Sequence, residues 1–347
     1  MISRVAITNF KSIGDPGVDL ELKPLTLLVG PNGGGKSSIL EAIAVASQLN
    51  LSGKLTSFPS RDSIVHKPNE PPGIIEIYFP LGEPGTRPGI SVTYDSNSGP
   101  AIDLLLEGPG PLVPVDFSKS FQEDVFLLSS IRGDVPYSVG VGVTPRWVGI
   151  HGQELLLALT IIFSQGVLKE VSDNILKWAD RFGIGELHAG IREGFESGSD
   201  YTDSQLKQVL NLALSSSGAR QILTVITQLF WAAEGSLLMI EEPEISLHPQ
   251  AQIDVLEMFA EAIRQSDKQI IATTHSHILL QSLGYAVNKG WLNPDDITVY
   301  HIEKKKHGTS AKKLPLGKQG YIRGWVPSYS KVEKQLLQEW AKTLPRG

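Results

Sequence analysis

The feature that most constrains the fold of this chain is a glycine-rich loop between an apolar run and a helix-favouring run. Leu25–Val29 predicts a buried strand, and residues 39–44 favour a helix. The loop between them, residues 30–37, reads GPNGGGKS and matches the phosphate-binding pattern G-x-x-x-x-G-K-[ST]. A strand, a glycine loop and a helix N-terminus together surround an anion with backbone N–H groups. The segment therefore predicts a nucleotide-phosphate site.

The side chains of this loop have distinct expected roles. Lys36 is expected to reach the β- and γ-phosphates, and the hydroxyl of Ser37 is expected to hold Mg²⁺. The other positions expected to line the nucleotide are Gly30, Pro31, Asn32, Gly33, Gly34, Gly35 and Ser38. The alternative is a glycine-rich turn with an accidental Gly-Lys-Ser, which the flanking strand and helix disfavour.

Length and composition bound the class of protein. The chain has 347 residues, a formal net charge of −6 and no cysteine. This length favours one large or two modest domains, and the absence of cysteine excludes disulfides and thiolate metal sites. The N-terminus lacks the apolar region of a signal peptide, and no apolar run is long enough to cross a bilayer. These features predict a cytoplasmic protein with no membrane partner.

Basic residues concentrate near the C-terminal end of the sequence. Residues 304–323 contain seven Lys or Arg and no acid, although the acidic net charge gives no general attraction to nucleic acid. The favoured interpretation is a solvated β-hairpin whose edge is protected by lysines. A surface that contacts DNA or another polyanion is the alternative.

Apolar runs and breakers predict the order of elements along the chain. The predicted strands lie at residues 2–9, 17–22, 25–30, 74–79, 90–94, 124–129, 236–240, 269–273 and 297–302. The predicted helices follow the phosphate loop, occupy most of 153–186, cover 220–233 and 249–265, and begin near 276 and near 331, the last at a capping box of Ser330 and Glu333. Residues 51–72 predict an exposed loop, and residues 197–204 predict a polar break. The alternation predicts an α/β fold with a mostly parallel sheet between helices.

Two adjacent acids follow the predicted strand at residues 236–240. Glu241 and Glu242 stand where open α/β sheets place their chemistry, at the carboxyl end of a strand. Consecutive side chains of a strand point in different directions, so one carboxylate can face Mg²⁺ and the other the attacking water. A solvated strand end is the alternative, which the upstream phosphate loop disfavours.

Two further segments complete a pattern of nucleotide chemistry. Residues 214–221 read LSSSGARQ and lead into a helix, so Ser216 and Gly218 stand at a helix N-terminus that favours anions. His275 follows the strand at 269–273, where an imidazole can contact a γ-phosphate. An ordinary serine N-cap and a structural histidine are the alternatives.

In this order, the phosphate loop, the Ser-Ser-Gly segment, Glu-Glu-Pro-Glu-x-x-x-His-Pro and Thr-Thr-His-Ser resemble the ABC-type ATPase heads of the SMC, RecF and OLD group. The nearest likeness is to stand-alone AAA-family ATPases related to the OLD proteins. The resemblance implies a P-loop NTPase fold with an ABC-head-like mixed sheet flanked by helices and a modest helical lid. The expected domains are an N-terminal lobe at 1–100, a lid at 101–210, a C-terminal lobe at 211–303, and a basic hairpin and helix at 304–347.

The resemblance also implies ATP and Mg²⁺ as cofactors and assigns residue roles. Glu241 would join Ser37 at the metal, Glu242 would be the catalytic base, and His275 would be the switch histidine. Ser216 and Gly218 would cap the γ-phosphate of ATP held by a second subunit. The signature departs from the fuller family pattern at Ser217 and Ala219. No glutamine marks a Q-loop, and residues 129–132 stand about where one is expected.

The chain shows neither the sustained heptads of SMC proteins nor the metal-binding acids of the TOPRIM nuclease that OLD proteins carry. We therefore expect an ATPase that forms a homodimer on ATP and regulates an effector protein encoded separately, in phage defence. The alternative is a RecF-like ATPase of DNA repair that contacts DNA through residues 304–323. A scaffold that binds nucleotide without hydrolysis remains open, and the Glu-Pro-Glu block disfavours a membrane-transport ATPase.

Overall fold

The computed structural model describes residues 1–52, 72–80, 86–95, 99–108, 124–140, 142, 145–192, 196–203, 207–324 and 326–343. The chain divides into two units. The central unit contains residues 114–282 together with Met1, and the terminal unit contains residues 2–113 and 283–347. Each unit has its own strands, helices and buried apolar residues.

The described strands, in chain order, are β1 (Arg4–Thr8), β2 (Val18–Glu21), β3 (Leu25–Val29), β4 (Gly73–Tyr78), β5 (Arg87–Asp95), β6 (Gly99–Glu107), β7 (Val125–Leu128), β8 (Val139–Gly140), β9 (Glu186–Arg192), β10 (Glu196–Thr202), β11 (Val209–Asn211), β12 (Leu237–Glu241), β13 (Gln269–Thr274), β14 (Ile297–Lys305) and β15 (Gly308–Lys313). The described α-helices are α1 (Lys36–Ser52), α2 (Leu155–Ser164), α3 (Lys169–Arg181), α4 (Ser217–Trp231), α5 (Pro249–Ser266), α6 (His277–Asn288) and α7 (Pro327–Thr343). Short 3₁₀ turns occupy Gly166–Leu168, Leu212–Leu214 and Pro294–Asp296.

The terminal unit carries an antiparallel sheet in the order β2-β1-β4-β5-β6. Strand β2 alternates between buried and exposed residues, as expected for an antiparallel strand with one face toward solvent. In the same unit, β3 pairs in parallel with β14, and β14 pairs antiparallel with β15. All five residues of β3 are buried, and α1 begins at Lys36, so the predicted strand–loop–helix is confirmed.

The central unit holds the strand that ends in the two acids. Strand β12 lies between β7 and β13, and both pairings are parallel. Four of the five residues of β12 and all six of β13 are buried, as expected for strands covered on both faces. Helix α5 packs against β13. The strands and helices predicted at residues 220–273 are therefore confirmed.

The rest of the central unit contains a small sheet beside two helices. Strand β10 pairs antiparallel with β8, β9 and β11, and α2 packs against β9 and β10. The predicted polar break at residues 197–204 is wrong, because most of it is strand β10. Ser197 and Ser199 are buried within it. Pairing with its neighbours satisfies the backbone of β10, so these small polar residues fit a strand despite their low intrinsic preference.

The C-terminal helix begins earlier than the capping box predicted. Helix α7 starts at Pro327, so Ser330 lies inside its first turn and is not the N-cap. Proline favours the first helical position because its missing N–H has no helical acceptor there. The sequence analysis also did not predict β6, β8, β9 or β11. Most of the loop predicted at 51–72 lies outside the described residues.

Among the described residues, no single helix is long and apolar enough to cross a membrane. One bent pair, Leu155–Ser164 with Gly166–Arg181, meets the length and composition test only when both parts are taken together. The buried core helices of globular proteins have the same length and composition, and most residues of α2 are buried.

Candidate functional site

The phosphate loop of the terminal unit has a backbone that requires glycine. Gly30, Gly33 and Gly35 have φ angles of 149°, 70° and 106°, a region that other residues rarely adopt. A Cβ on Gly33 would meet no atom within 4 Å, so that position faces open space. Lys36 is buried, and its Nζ donates to the carbonyl oxygens of Gly30 and Pro31 at 3.0 Å each. The ammonium group of Lys36 therefore lies beside the glycine backbone that is expected to bind phosphate.

The first turn of α1 supplies hydroxyl groups next to that cation. Ser37 is exposed and Ser38 is half-buried. The N–H groups of a first helical turn lack helical acceptors and therefore favour an anion. Magnesium prefers oxygen ligands and commonly joins protein oxygens to nucleotide phosphates. The residues of the terminal unit therefore fit a nucleotide phosphate with Mg²⁺.

The two acids of the central unit stand at the end of β12 and contact different partners. Glu241 is the last residue of the strand, and its Oε2 accepts a hydrogen bond from the backbone N–H of Ser130 at 3.0 Å. Glu242 lies just beyond the strand with a φ of 42°. A non-glycine residue in this region costs about 1–3 kcal/mol and usually marks a functional position. Because Glu242 itself has this left-handed backbone, the different directions of the two carboxylates do not result from strand alternation alone.

The carboxylate of Glu242 lies close to the imidazole of His275. Glu242 Oε1 is 3.8 Å from His275 Nε2, and the two side chains are 32% and 31% exposed. The backbone N–H of Glu242 donates to the carbonyl oxygen of Thr273 at 3.1 Å, which holds the two segments together. An accessible carboxylate beside an imidazole can accept a proton from water while the imidazole orients the reacting group.

The Ser-Ser-Gly segment forms the N-terminus of α4. The Oγ of Ser216 accepts a hydrogen bond from the N–H of Ala219 at 3.2 Å, so Ser216 is the N-cap. Gly218 packs against the segment that follows the acids, since a Cβ there would lie 2.6 Å from the carbonyl oxygen of Ser246. Ser246 itself has a φ of 61°. Glycine at 218 therefore permits a close backbone approach that joins the segment at 216–218 to the Glu-Pro-Glu segment.

A buried guanidinium connects these parts of the central unit. Arg132 donates to the carbonyl oxygens of Glu241 at 2.6 Å, Glu242 at 2.9 Å and Ser129 at 2.8 Å, and to that of Gln221 in α4 at 3.3 Å. It is 5% exposed, and burial lowers its pKa to about 10 against the opposing effect of the nearby carboxylates. One side chain thus holds the end of β12, the segment after β7 and the helix α4.

A third carboxylate, that of Glu244, joins the acidic segment to the histidine segment. Its Oε1 accepts hydrogen bonds from the Oγ1 of Thr274 at 2.5 Å and from the backbone N–H of His275 at 3.2 Å. Its Oε2 is buried without a hydrogen-bond partner among the residues that the structure describes. Burial is the main cause that raises the pKa of the Glu244 carboxyl, and the charge of Glu242 adds to it. Glu244 therefore fixes the backbone at His275.

Sequence reasoning anticipated only part of this arrangement. The central unit connects Glu241, Glu242 and His275 with the segment at 216–218, whereas the glycine loop and Lys36 lie in the terminal unit. The sequence analysis gave no role to Arg132 or Glu244. The available signal for Arg132 was its position in the segment 129–132, directly after a predicted buried strand. Glu244 belongs to the Glu-Glu-Pro-Glu motif, but nothing in the sequence predicted its hydrogen bonds with Thr274 and His275.

Comparisons with known proteins find similarity to ATPase domains in two parts of the chain. The AAA ATPase domain family matches residues 164–280, and an AAA domain family matches residues 4–108. The chain is 26% identical over 322 residues to the OLD nuclease of Thermus scotoductus, and 27% identical over 351 residues to the Septu protein PtuA of Bacillus mycoides. These alignments cover 80% and 94% of the chain, but only 59% and 44% of the relatives. The chain therefore spans about half the length of these relatives.

Solved structures show the same fold at low sequence identity. An SMC head bound to the C-winged helix domain of ScpA superposes with a TM-score of 0.62 at 14% identity, covering 91% of this chain and 98% of that head. The recombination mediator RecF superposes with a TM-score of 0.51 at 13% identity, covering 91% and 98% of the two chains. These likenesses establish the predicted α/β fold with sheets flanked by helices.

Removing the guanidinium of Arg132 should destabilise the central unit. Arg132→Met leaves several buried carbonyl oxygens without donors, and each unsatisfied group costs about 1–3 kcal/mol, so we expect a loss of about 3 kcal/mol or more in the free energy of unfolding. Urea denaturation followed by circular dichroism measures this loss. The exposed Arg146 provides the control Arg146→Met, and equal unfolding free energies of the two variants would contradict the assignment.

Replacing Glu244 should change how stability depends on pH. In the folded protein the pKa of the Glu244 carboxyl lies above its ordinary value of 4.5, so the folded protein retains a proton that the unfolded chain loses. Stability therefore falls as pH rises from the unfolded pKa through the folded pKa. Glu244→Gln, which keeps a carbonyl acceptor, should gain stability over the wild type progressively from pH 4.5 upward and then level off. Chemical denaturation at several pH values measures the free energies of unfolding. The exposed Glu234 gives the control Glu234→Gln. A difference in unfolding free energy between Glu244→Gln and the wild type that does not change with pH would contradict the prediction.

Proposed function

We propose that this chain, which is an ATPase of the SMC, RecF and OLD type, closes into a homodimer on Mg-ATP and uses the closure as a switch on a partner protein. In this proposal the loop at residues 30–38 binds the triphosphate, and Ser37 and Glu241 hold the metal. Glu242 activates water, and His275 orients the γ-phosphate. Ser216 and Gly218 complete the site of the second subunit.

The observation that best supports ATP hydrolysis is the pairing of Glu242 with His275. Their side chains are 3.8 Å apart and about one-third exposed, so water can reach the carboxylate. The left-handed backbone at Glu242 and the hydrogen bonds from Arg132 and to Thr273 hold this pair in place. General-base catalysis requires that the base be held at a fixed position relative to the water it deprotonates.

The exposed start of α4 supports a site shared between two copies. Ser216 and Ser217 are exposed, whereas Gly218 is buried against Ser246. An exposed helix N-terminus with two hydroxyls can receive an anion that another molecule presents. A homodimer with two-fold symmetry would use the same surfaces twice, so each nucleotide would meet the segment at 216–218 of the other copy.

The relatives support a role that involves a second protein. The chain covers 59% of the OLD nuclease and 44% of the Septu protein PtuA, so these relatives contain regions beyond the ATPase-like part. The OLD resemblance and the likeness to the Septu protein PtuA support a role in phage defence, in which the partner protein of this proposal would be the effector.

ATP hydrolysis should depend on Lys36 and Glu242. Glu242→Gln removes the base while it keeps the side-chain size, so we expect the turnover number to fall at least about a hundredfold with ATP still bound. Lys36→Ala should abolish nucleotide binding. Phosphate release measures turnover, and light scattering with Mg-ATP should find Glu242→Gln as a dimer. Turnover unchanged in both variants would refute the proposal, and Glu234→Gln serves as a remote carboxylate control.

A second candidate function, DNA binding, rests on the β14–β15 hairpin. Lys304, Lys306 and Lys312 are exposed on it. Two further lysines of the hairpin pair with acids, Lys305 with Glu303 at 3.1 Å and Lys313 with Glu21 at 3.0 Å. Exposed lysines on one hairpin can neutralise backbone phosphates, which is the sequence-independent part of nucleic-acid binding.

Charge reversal tests this second function. If the hairpin contacts duplex DNA, Lys304→Glu, Lys306→Glu and Lys312→Glu combined should abolish binding at low salt, and wild-type affinity should fall steeply as salt rises. Fluorescence anisotropy measures both. A control with the same charge change combines Lys169→Glu, Lys207→Glu and Lys289→Glu, all at exposed positions. Equal binding by the two triple variants, or no binding by the wild type, would remove this function.

A further inference from the structure

The hairpin of β14 and β15 forms the structural support of the phosphate loop within the terminal unit. A Cβ on Gly30 would lie 1.9 Å from the carbonyl oxygen of Ile302, and one on Gly34 would lie 2.9 Å from the same oxygen. A Cβ on Gly35 would lie 2.1 Å from Thr309 Oγ1. Both ends of the glycine run thus rest on the hairpin, on β14 through a backbone carbonyl and on β15 through one side chain.

Thr309 is joined to α1 by a chain of three hydroxyl groups. Thr309 Oγ1 donates to the carbonyl oxygen of Ser12 at 3.1 Å and lies 2.9 Å from Ser12 Oγ. Ser12 Oγ lies 3.1 Å from Ser38 Oγ. A hydroxyl has one proton; because that of Ser12 is donated to Ser38 Oγ, the proton between Ser12 and Thr309 is that of Thr309, shared between the carbonyl and hydroxyl oxygens of Ser12. The orientation of each hydroxyl in the chain is therefore set by its neighbour.

The turn that carries Ser12 is itself fixed in place. Asn9 and Lys11 have left-handed φ angles of 52° and 50°, which cost energy unless the surroundings enforce them. Phe10 is fully buried, and Lys11 forms an ion pair with Glu41 of α1. The backbone N–H of Thr309 also donates to the Ser12 carbonyl oxygen at 2.8 Å. The turn at residues 9–12 therefore forms a rigid bridge between β15 and α1.

We propose that Thr309 and Ser12 are positioning residues that hold residues 35–38 in the nucleotide-binding conformation, so that the β14–β15 hairpin sets the affinity of the phosphate loop. This inference rests on the proposed function, because it assumes that the loop binds ATP. Thr309 is 5% exposed, and Ser12 also lies beside Gly35, since its Oγ would be 2.8 Å from a Cβ at that glycine. Neither residue would contact the nucleotide; both would position the loop by their contacts with Gly35 and Ser38.

The conservative pair Thr309→Val and Thr309→Ser separates the hydroxyl from the packing. Valine keeps the shape and removes the hydrogen bonds, so we expect the dissociation constant of a fluorescent ATP analogue to rise about three- to tenfold, with KM rising in parallel and kcat changing less than about twofold. Thr309→Ser should restore wild-type affinity. Ser310→Ala, on the opposite face of β15 and half-buried, is the matched control and should behave as wild type.

Ser12→Ala provides a second route to the same test. Because Ser12 and Thr309 belong to one chain of hydroxyls, the double variant should lose less affinity than the sum of the single losses. Wild-type affinity in Thr309→Val, full additivity of the two changes, or equal losses in Thr309→Val and Thr309→Ser would each overturn the inference. Failure of the wild-type chain to bind the analogue would instead overturn the proposed function, which keeps the two failures distinct.

Discussion

The acidic end of β12 depends on the buried guanidinium of Arg132. Three carboxylates lie within the four residues from Glu241 to Glu244, and their mutual repulsion would disfavour a fixed arrangement without a nearby cation. Arg132 supplies that cation and also donates to four backbone carbonyl oxygens from three separate segments. Burying one partner of such a network is costly unless every donor and acceptor is satisfied. Arg132 thus links the backbone at Glu241 and Glu242 to helix α4.

The phosphate loop is stabilised differently, by close backbone contacts that only glycine permits. Its glycines lie against the Ile302 carbonyl and the Thr309 side chain, so the loop conformation is fixed by β14 and β15 more than by its own hydrogen bonds. A site whose phosphate-binding and catalytic parts are each rigid is suited to a switch, because nucleotide can then bias the arrangement of whole subunits without reshaping either part. This rigidity is the physical argument for the switch role proposed above.

The sequence predicted the strand–loop–helix at residues 25–44 and the buried strands β12 and β13, because apolar runs and glycine patterns are local signals. It did not predict β10, whose serines are buried only because neighbouring strands and α2 cover them. The left-handed backbone at Glu242 and the four acceptors of Arg132 also escaped prediction. Both arise from contacts between segments as far apart as Arg132 and Glu241, a separation that no local pattern encodes. The residue types of the candidate site were thus predictable, whereas the supports that hold them were not.

A mixing experiment tests the shared-site ATPase most directly. One chain carries Lys36→Ala, and the other carries Ser216→Asp, which keeps an N-cap at α4 but places a negative charge where the phosphate would bind. Each variant alone should be inactive. Random pairing in a symmetric dimer gives half heterodimers with one intact site each, so the mixture should recover up to about a quarter of wild-type hydrolysis. No recovery on mixing, with each variant folded and Ser216→Asp still binding ATP, would contradict the shared site.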